Sequence, residues 1–231
     1  MATQKIALLS GVTGLVGNLL LEELLDAPEY SRVYALSRRP LHREHPRLAN
    51  RVVRFEKLAA ELKGLTADDA FCCLGTTIAK AGSQAEFRRV DVDLVLEFAR
   101  VAHAAKVARF VVVTSAGADD KSRNFYLRTK GELEAALSAV GFQSLDIMQP
   151  GPLLGWRREM RPKDLALTAL MPVANLFLVG ARESYRGISA RIVARAMLGA
   201  TRTGRRGTYR YTHQGLCQLA ALPPKAAVRS K

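Results

Sequence analysis

The sequence predicts an α/β fold, a doubly wound parallel sheet with helices on both faces, and three observations predict it. Short apolar runs alternate with longer helical patterns through the first 150 residues, the order that builds a parallel sheet. The run Arg109–Thr114 (RFVVVT) is unbroken and mostly β-branched, as a strand covered on both faces requires. The first strand passes into the first helix through a turn with glycines at 11, 14 and 17.

That first unit reads KIALLSGVTGLVGNLLLEELLD, from Lys5 to Asp26. Ile6–Leu9 is short enough for a buried strand, and Leu15, Val16, Leu19, Leu20, Leu24 and Leu25 recur at helical spacing. Strand, glycine turn and helix are the pieces a dinucleotide pyrophosphate needs. Gly11 permits the tight turn, Gly14 lets backbone N–H groups reach the phosphates, and Gly17 lets the helix pack closely. The helix N-terminus adds partial positive charge. The spacing is one residue wider than the common GxGxxG.

Arg32–Ser37 is the second strand, and it ends where a fold selective for NAD places an acid to hold the ribose hydroxyl. Ser37-Arg38-Arg39 stands there instead. A hydroxyl and two guanidiniums suit a 2′-phosphate, because arginine pairs with phosphate oxygens as a fork, so NADP(H) is expected over NAD(H). Arg51–Phe55 reads as a short third strand after a loop, and Asp69–Leu74 as a fourth that ends in Gly75-Thr76-Thr77. A glycine with hydroxyls at the carboxyl end of a central strand lies where doubly wound sheets bind ligands.

Phe87–Ala105 reads as one long helix, with Asp91 and Asp93 near its first turns. The plain strand Arg109–Thr114 leads into Ser115-Ala116-Gly117. Then comes Tyr126, with Lys130 four residues on and therefore on the same helix face. A phenol beside an ammonium is biased toward phenolate, which suits proton exchange with a carbonyl or alcohol oxygen. Ser115 is the candidate to hold that oxygen. Ser144–Gln149 is a sixth strand, Pro150-Gly151-Pro152 turns the chain away, Ile188–Leu198 is an amphipathic helix, and Gly207–Tyr211 is an edge strand.

Composition narrows the class. The net charge is +14, and from Gly151 onward 15 Lys/Arg face 3 acids, so the first 150 residues carry only +2. A basic C-terminal third fits a phosphate-bearing ligand, a nucleic acid, an anionic membrane or a solvated surface. Few aromatics and no nucleic-acid motif disfavour the second. Leu165–Ala181 is 17 uncharged residues broken by Pro172 and Asn175, too short for a transmembrane segment; a core or subunit-interface helix is expected, and a homodimer would account for it. Three cysteines with neither disulfide nor metal spacing, and no basic leader before the first apolar run, lead to a reduced cytoplasmic compartment as the expectation. Cys72 and Cys73 are expected to pack as small hydrophobes. Residues 1–222 are expected to form one domain, a core over 1–150 with a C-terminal portion over 151–222, and 223–231 a basic tail.

GVTGLVG, the SRR after the second strand, FCCLGTT with KAGS, VVVTSAGADDKSRNF and YLRTKGELE together resemble the atypical short-chain dehydrogenase/reductases, in the Tat-interacting-protein-like NADPH-binding branch. The resemblance runs from about Lys5 to Ala220 and thins after Pro152. It implies a Rossmann-type, seven-stranded parallel sheet. It implies that Gly11, Thr13, Gly14, Leu15, Val16 and Gly17 cradle the pyrophosphate, with Arg38 and Arg39 on the 2′-phosphate. Leu74, Gly75 and Thr76 would line the cofactor's inner side, and Pro150 to Leu153 the nicotinamide. Ser115, Tyr126 and Lys130 would form the catalytic triad, Lys130 also holding the nicotinamide ribose. The Asn-Asn-Ala-Gly loop of the wider family is absent, and Leu74-Gly75-Thr76-Thr77 replaces it.

Two functions follow as expectations. One is reduction of a small carbonyl substrate by NADPH. The alternative is a non-catalytic NADP(H)-sensing or scaffold protein with a protein partner.

Overall fold

The computed structural model describes residues 4–154 and 180–224. Seven parallel strands form one sheet in the order β3-β2-β1-β4-β5-β6-β9. They are β1 (Lys5–Ser10), β2 (Tyr30–Ser37), β3 (Leu48–Val52), β4 (Asp69–Cys72), β5 (Arg109–Val113), β6 (Ser144–Met148) and β9 (Gly207–Tyr211). A two-stranded parallel pair, β7 (Leu153–Leu154) and β8 (Ile188–Ser189), sits beyond the end of β6.

Side-chain alternation along the strands divides the core into two layers. Ala7 and Leu9 of β1 join Val111 of β5 on one face, against α1 (Leu15–Asp26) and the last two helices. Leu8, Phe110 and Val112 point the other way, against α5 (Leu94–Ala104) and α6 (Phe125–Ser138). Both faces are therefore apolar, which is why these strands read as continuous hydrophobic runs.

Between them lie short pieces: α2 (Leu58–Glu61), α3 (Ile78–Ala81) and α4 (Gln84–Arg88). The expected long helix from Phe87 is a helical run that begins at Gln84 and is interrupted by a π turn at Arg89–Asp93. The third strand is displaced from the expected Arg51–Phe55. Asn50 draws the Leu48–Val52 segment onto β2 by donating to the Ala35 carbonyl at 3.0 Å and to Ser37 Oγ at 2.8 Å. Phe55 instead opens a 3₁₀ turn and is buried beside Leu58. As an edge strand, β3 carries polar residues and gives a weak apolar signal.

The amphipathic pattern from Ile188 divides at Ser189, whose Oγ caps the Arg191 N–H at 3.3 Å and starts α7 (Ala190–Arg202). A further helix, α8 (His213–Ala220), was not anticipated from the pattern; its backbone meets α7 so closely that a Cβ on Gly199 would stand 2.0 Å from the Leu219 carbonyl oxygen. α7 packs on α1, and the charges match: Arg191 reaches Glu22 and Glu23, Arg195 reaches Glu23, and Arg202 reaches Glu29 at 2.7 Å. Part of the C-terminal excess of arginine is thus spent on acids of the first helix. Most of the uncharged stretch Leu165–Ala181, expected as a core or interface helix, and the tail beyond Pro224 lie outside the described residues. Among the described residues no helix is long and apolar enough to cross a membrane.

Candidate active site

Strand order reverses between β1 and β4, so the loops leaving the carboxyl ends of β1, β4 and β5 share one crevice. The glycine turn forms its first wall. Gly11 has φ of +77°, and a Cβ there would stand 2.3 Å from the Cys73 carbonyl carbon. A Cβ on Gly17 would meet the Gly11 oxygen at 2.2 Å. These two glycines let β1, the turn and the β4 loop touch backbone to backbone. Gly14 caps α1 without a side chain, and the helix has no acid in its first turn. The first intrahelical bond at this end is Asn18 N–H to the Gly14 carbonyl at 2.9 Å, so the N–H groups of Leu15, Val16 and Gly17 point out of the helix end. Thr13 and Gly14 are exposed at the crest. An uncapped, acid-free helix end under an open turn fits a phosphate.

At the end of β2, Ser37 is buried and committed to its own turn. Its Oγ donates to the Arg39 carbonyl at 2.7 Å and accepts from Asn50 at 2.8 Å. Arg38 and Arg39 are exposed and have no ion-pair partner among the described residues.

The β4 loop leads to the reacting corner. Thr76 donates its N–H to Asp91 Oδ2 at 2.7 Å, and Lys130 donates to Asp91 Oδ1 at 2.6 Å. Asp91 and Lys130 are both buried, and Tyr126 is half-buried. The Lys130 ammonium lies over the Tyr126 ring, 6.0 Å from its centroid, and Phe87 packs on that ring at 5.7 Å. The Tyr126 hydroxyl makes no hydrogen bond among the described residues. Ser115 turns its hydroxyl to the Ala116 carbonyl at 3.2 Å, and it is not bonded to Tyr126. Pro150 accepts the Ala116 N–H at 2.9 Å, and Leu153 pairs with Ile188 in the small sheet, so the turn after β6 is pinned against the Ser115 loop. The contacts therefore run without a gap from Gly11 through Cys73 and Thr76 to Asp91, Lys130 and Tyr126.

Two acids that carry this geometry stand outside the motifs of the sequence. Asp91 is one. The other is Glu134, one turn beyond Lys130 and buried. It accepts from Thr114 Oγ1 at 2.7 Å, from Gln149 at 2.9 Å and from Arg210 Nε at 2.8 Å. It thereby joins the carboxyl ends of β5 and β6 to β9 immediately behind Ser115. The available signal was Glu134 at i+4 from Lys130, on the same helix face. Asp91 gave none, because its partner is 39 residues away.

The adjacent thiols are packed groups. Burial pushes Cys72 up to about 11 and raises Cys73 well above the ordinary thiol value, so neither is a thiolate near neutrality. Cys73 Sγ meets Met197 Sδ at 3.7 Å, across to α7. Among the described residues no group of His, Cys, Asp and Glu is arranged to hold a metal.

A seven-stranded parallel sheet whose first strand passes through this glycine turn into the first helix defines a Rossmann-type fold. A family model described as HIM1 matches residues 55–177. The chain is 40% identical over 162 residues to Protein HTATIP2 of Rattus norvegicus, covering 68% of this chain and 66% of that one. It is 33% identical over 199 residues to Protein fmp52, mitochondrial, of Aspergillus fumigatus, covering 83% and 85%. The chain belongs to the HIM1 family. Among solved structures, MoeE5 in complex with UDP-glucose and NAD shares the fold with a TM-score of 0.66 at 19% identity, covering 89% of this chain and 75% of that one. The fungal relatives correct one expectation. They are named as mitochondrial proteins, which overturns the cytoplasmic location drawn from the cysteines. Free thiols report a reducing environment and do not say which compartment supplies it.

Proposed function

We propose that this protein is an NADPH-dependent oxidoreductase that reduces a small carbonyl compound, and that it works in mitochondria, as its fungal relatives are named. The observation that carries the reading is the buried Lys130 ammonium beside Tyr126, linked through Asp91 and Thr76 to the loop on which Gly11 rests. Gly11, Thr13, Gly14, Leu15, Val16 and Gly17 receive the pyrophosphate at the open end of α1. Arg38 and Arg39, exposed and without an ion-pair partner among the described residues, take the 2′-phosphate, while Ser37 shapes the turn that presents them. Leu74, Gly75 and Thr76, with Pro150 and Leu153, flank the inner end.

When bound, the nucleotide would be the source of the hydride for the carbonyl carbon. Tyr126 gives its phenolic proton to the carbonyl oxygen, and the two together make the alcohol. Its hydroxyl is unpartnered among the described residues, so it needs no internal bond broken to meet a substrate. Ser115 turns its O–H from the Ala116 carbonyl to the same oxygen and orients it. Lys130 sets its ammonium nitrogen over the phenol ring and would donate to the nicotinamide ribose. The described residues up to Leu222 serve this site as one unit, since α7 covers α1 and the small sheet buttresses the Pro150 turn.

The test is NADPH oxidation followed across a panel of aldehydes and ketones. Tyr126→Phe is expected to lower kcat by about 10²–10⁴ while leaving the NADPH dissociation constant within a factor of two. Turnover by the variant at the wild-type rate would remove Tyr126 from the role. Tight NADPH binding with no turnover of any panel member would replace catalysis with a nucleotide-sensing or scaffold function.

A further inference from the structure

Asp91 stands where three parts of the crevice meet, and its placement is unusual for a carboxylate. It is 1% exposed and lies on the π turn Arg89–Asp93, a local widening of the helix of the kind that recurs at functional sites. Its two oxygens are divided between two structures: Oδ1 takes the Lys130 ammonium, and Oδ2 takes the Thr76 backbone N–H. A Cβ on Gly75 would stand 3.4 Å from Oδ1, so the Leu74–Thr77 loop lies directly over the carboxylate. The helical run that carries Asp91 grips α6 at three levels. Phe87 packs on Phe125 and Tyr126, Arg88 pairs with Glu132, and Asp91 pairs with Lys130. Tyr126 on α6 and the Cys72 thiol on β4 are titratable groups that face the pair; Glu134, the next acid along that helix face, is taken up by Thr114, Gln149 and Arg210.

A general surface role does not account for this. A buried carboxylate with one hydrogen-bonded ammonium and one backbone amide transmits displacement, because moving either partner strands a charge in a place water does not reach. We propose that Asp91 is a positioning residue that holds the Lys130 ammonium and the Leu74–Thr77 loop as a single unit, so that a nucleotide which orders the loop also sets the place of the ammonium. The proposal rests on the nicotinamide-dinucleotide reading of the crevice. Asp91 touches neither nucleotide nor substrate; it acts through Lys130 and Thr76.

The experiment is a cycle of wild type, Asp91→Asn, Lys130→Met and the double variant. Two quantities are read on each: the NADPH dissociation constant by nucleotide fluorescence, and amide hydrogen exchange at Thr76. Each single substitution is expected to weaken NADPH about tenfold, and the double variant is expected to be no weaker than Lys130→Met alone. Lys130→Met, which does not touch the loop, is expected to speed Thr76 exchange. Effects that multiply to about a hundredfold in the double variant would overturn the proposal. If Asp91→Asn does not fold, the double variant remains informative, because it replaces a buried ion pair with neutral groups of similar size. If wild type binds no NADPH, the nucleotide reading fails by itself. Thr76 exchange in Lys130→Met then decides the mechanical coupling: acceleration supports it and unchanged exchange overturns it.

Discussion

The two ends of the crevice are built from different materials. Around Gly11 the site is backbone: the Gly11 and Gly17 positions bring main-chain atoms of β1, α1 and the Cys73 loop into contact, and the helix end offers N–H groups. Around Lys130 the site is side chain: Asp91 pairs with the ammonium beside the Tyr126 ring, and Thr114, Gln149 and Arg210 converge on Glu134. A backbone site tolerates almost any neighbouring side chain but no Cβ at two positions. A side-chain site tolerates backbone change but depends on each partner's charge.

The backbone end is most sensitive at Gly11. Gly11→Ala is expected to cost more than about 3 kcal/mol, from the positive φ and the contact with Cys73 together, and to abolish NADPH binding. Gly64 provides the control, since its φ is +79° but a Cβ there would meet nothing within 4 Å. Gly64→Ala is expected to cost only about 1 kcal/mol for backbone strain. Equal losses in urea unfolding would show that close approach is not what Gly11 provides.

At the side-chain end, Glu134→Gln places an amide donor among the donors of Gln149, Thr114 and Arg210. The expected loss is about 2 kcal/mol of stability, as for hydrogen bonds to a charged group, with a fall in turnover because Thr114 precedes Ser115. Unchanged stability would mean that the network is not needed to hold the corner. The smallest expected effect lies outside both ends. Replacing Arg38 and Arg39 with alanine should weaken NADPH by about tenfold to a hundredfold and leave NADH unchanged, while the melting temperature of the free protein stays the same. Equal weakening of both nucleotides would remove the arginines from the 2′-phosphate.

The same contrast explains what could be read in advance. The glycine turn was legible because its constraint is local: three glycines within seven residues, between an apolar run and a helical one. The parallel sheet was legible because strands buried on both faces are continuously apolar, and even the edge strand Gly207–Tyr211 was placed. The third strand was displaced because an edge strand carries little apolar signal and its register depends on the Asn50 side chain reaching β2. The long helix concealed its π turn because the apolar period survives a single inserted residue. Tyr126 and Lys130 were paired by helical spacing, which also puts Glu134 on their face, but the partners of Asp91 and Glu134 lie at sequence distances that no periodicity reports. Ser37 shows the limit in reverse, since a hydroxyl in the right position proved to be committed to its own turn.

The clasp between α7 and α1 has a consequence for how the chain is made. Arg191 and Glu22 are 169 residues apart, and α1 keeps its apolar face toward a layer that α7 and α8 complete. At 5–20 residues per second, a ribosome needs on the order of ten seconds or more to deliver α7 after α1 has emerged. During that interval Leu20, Leu21 and Leu24 have no permanent cover from the helices that will bury them. The nascent protein therefore presents a leucine-lined helix early and its cover late, and that interval is when a holding chaperone would have most to grip.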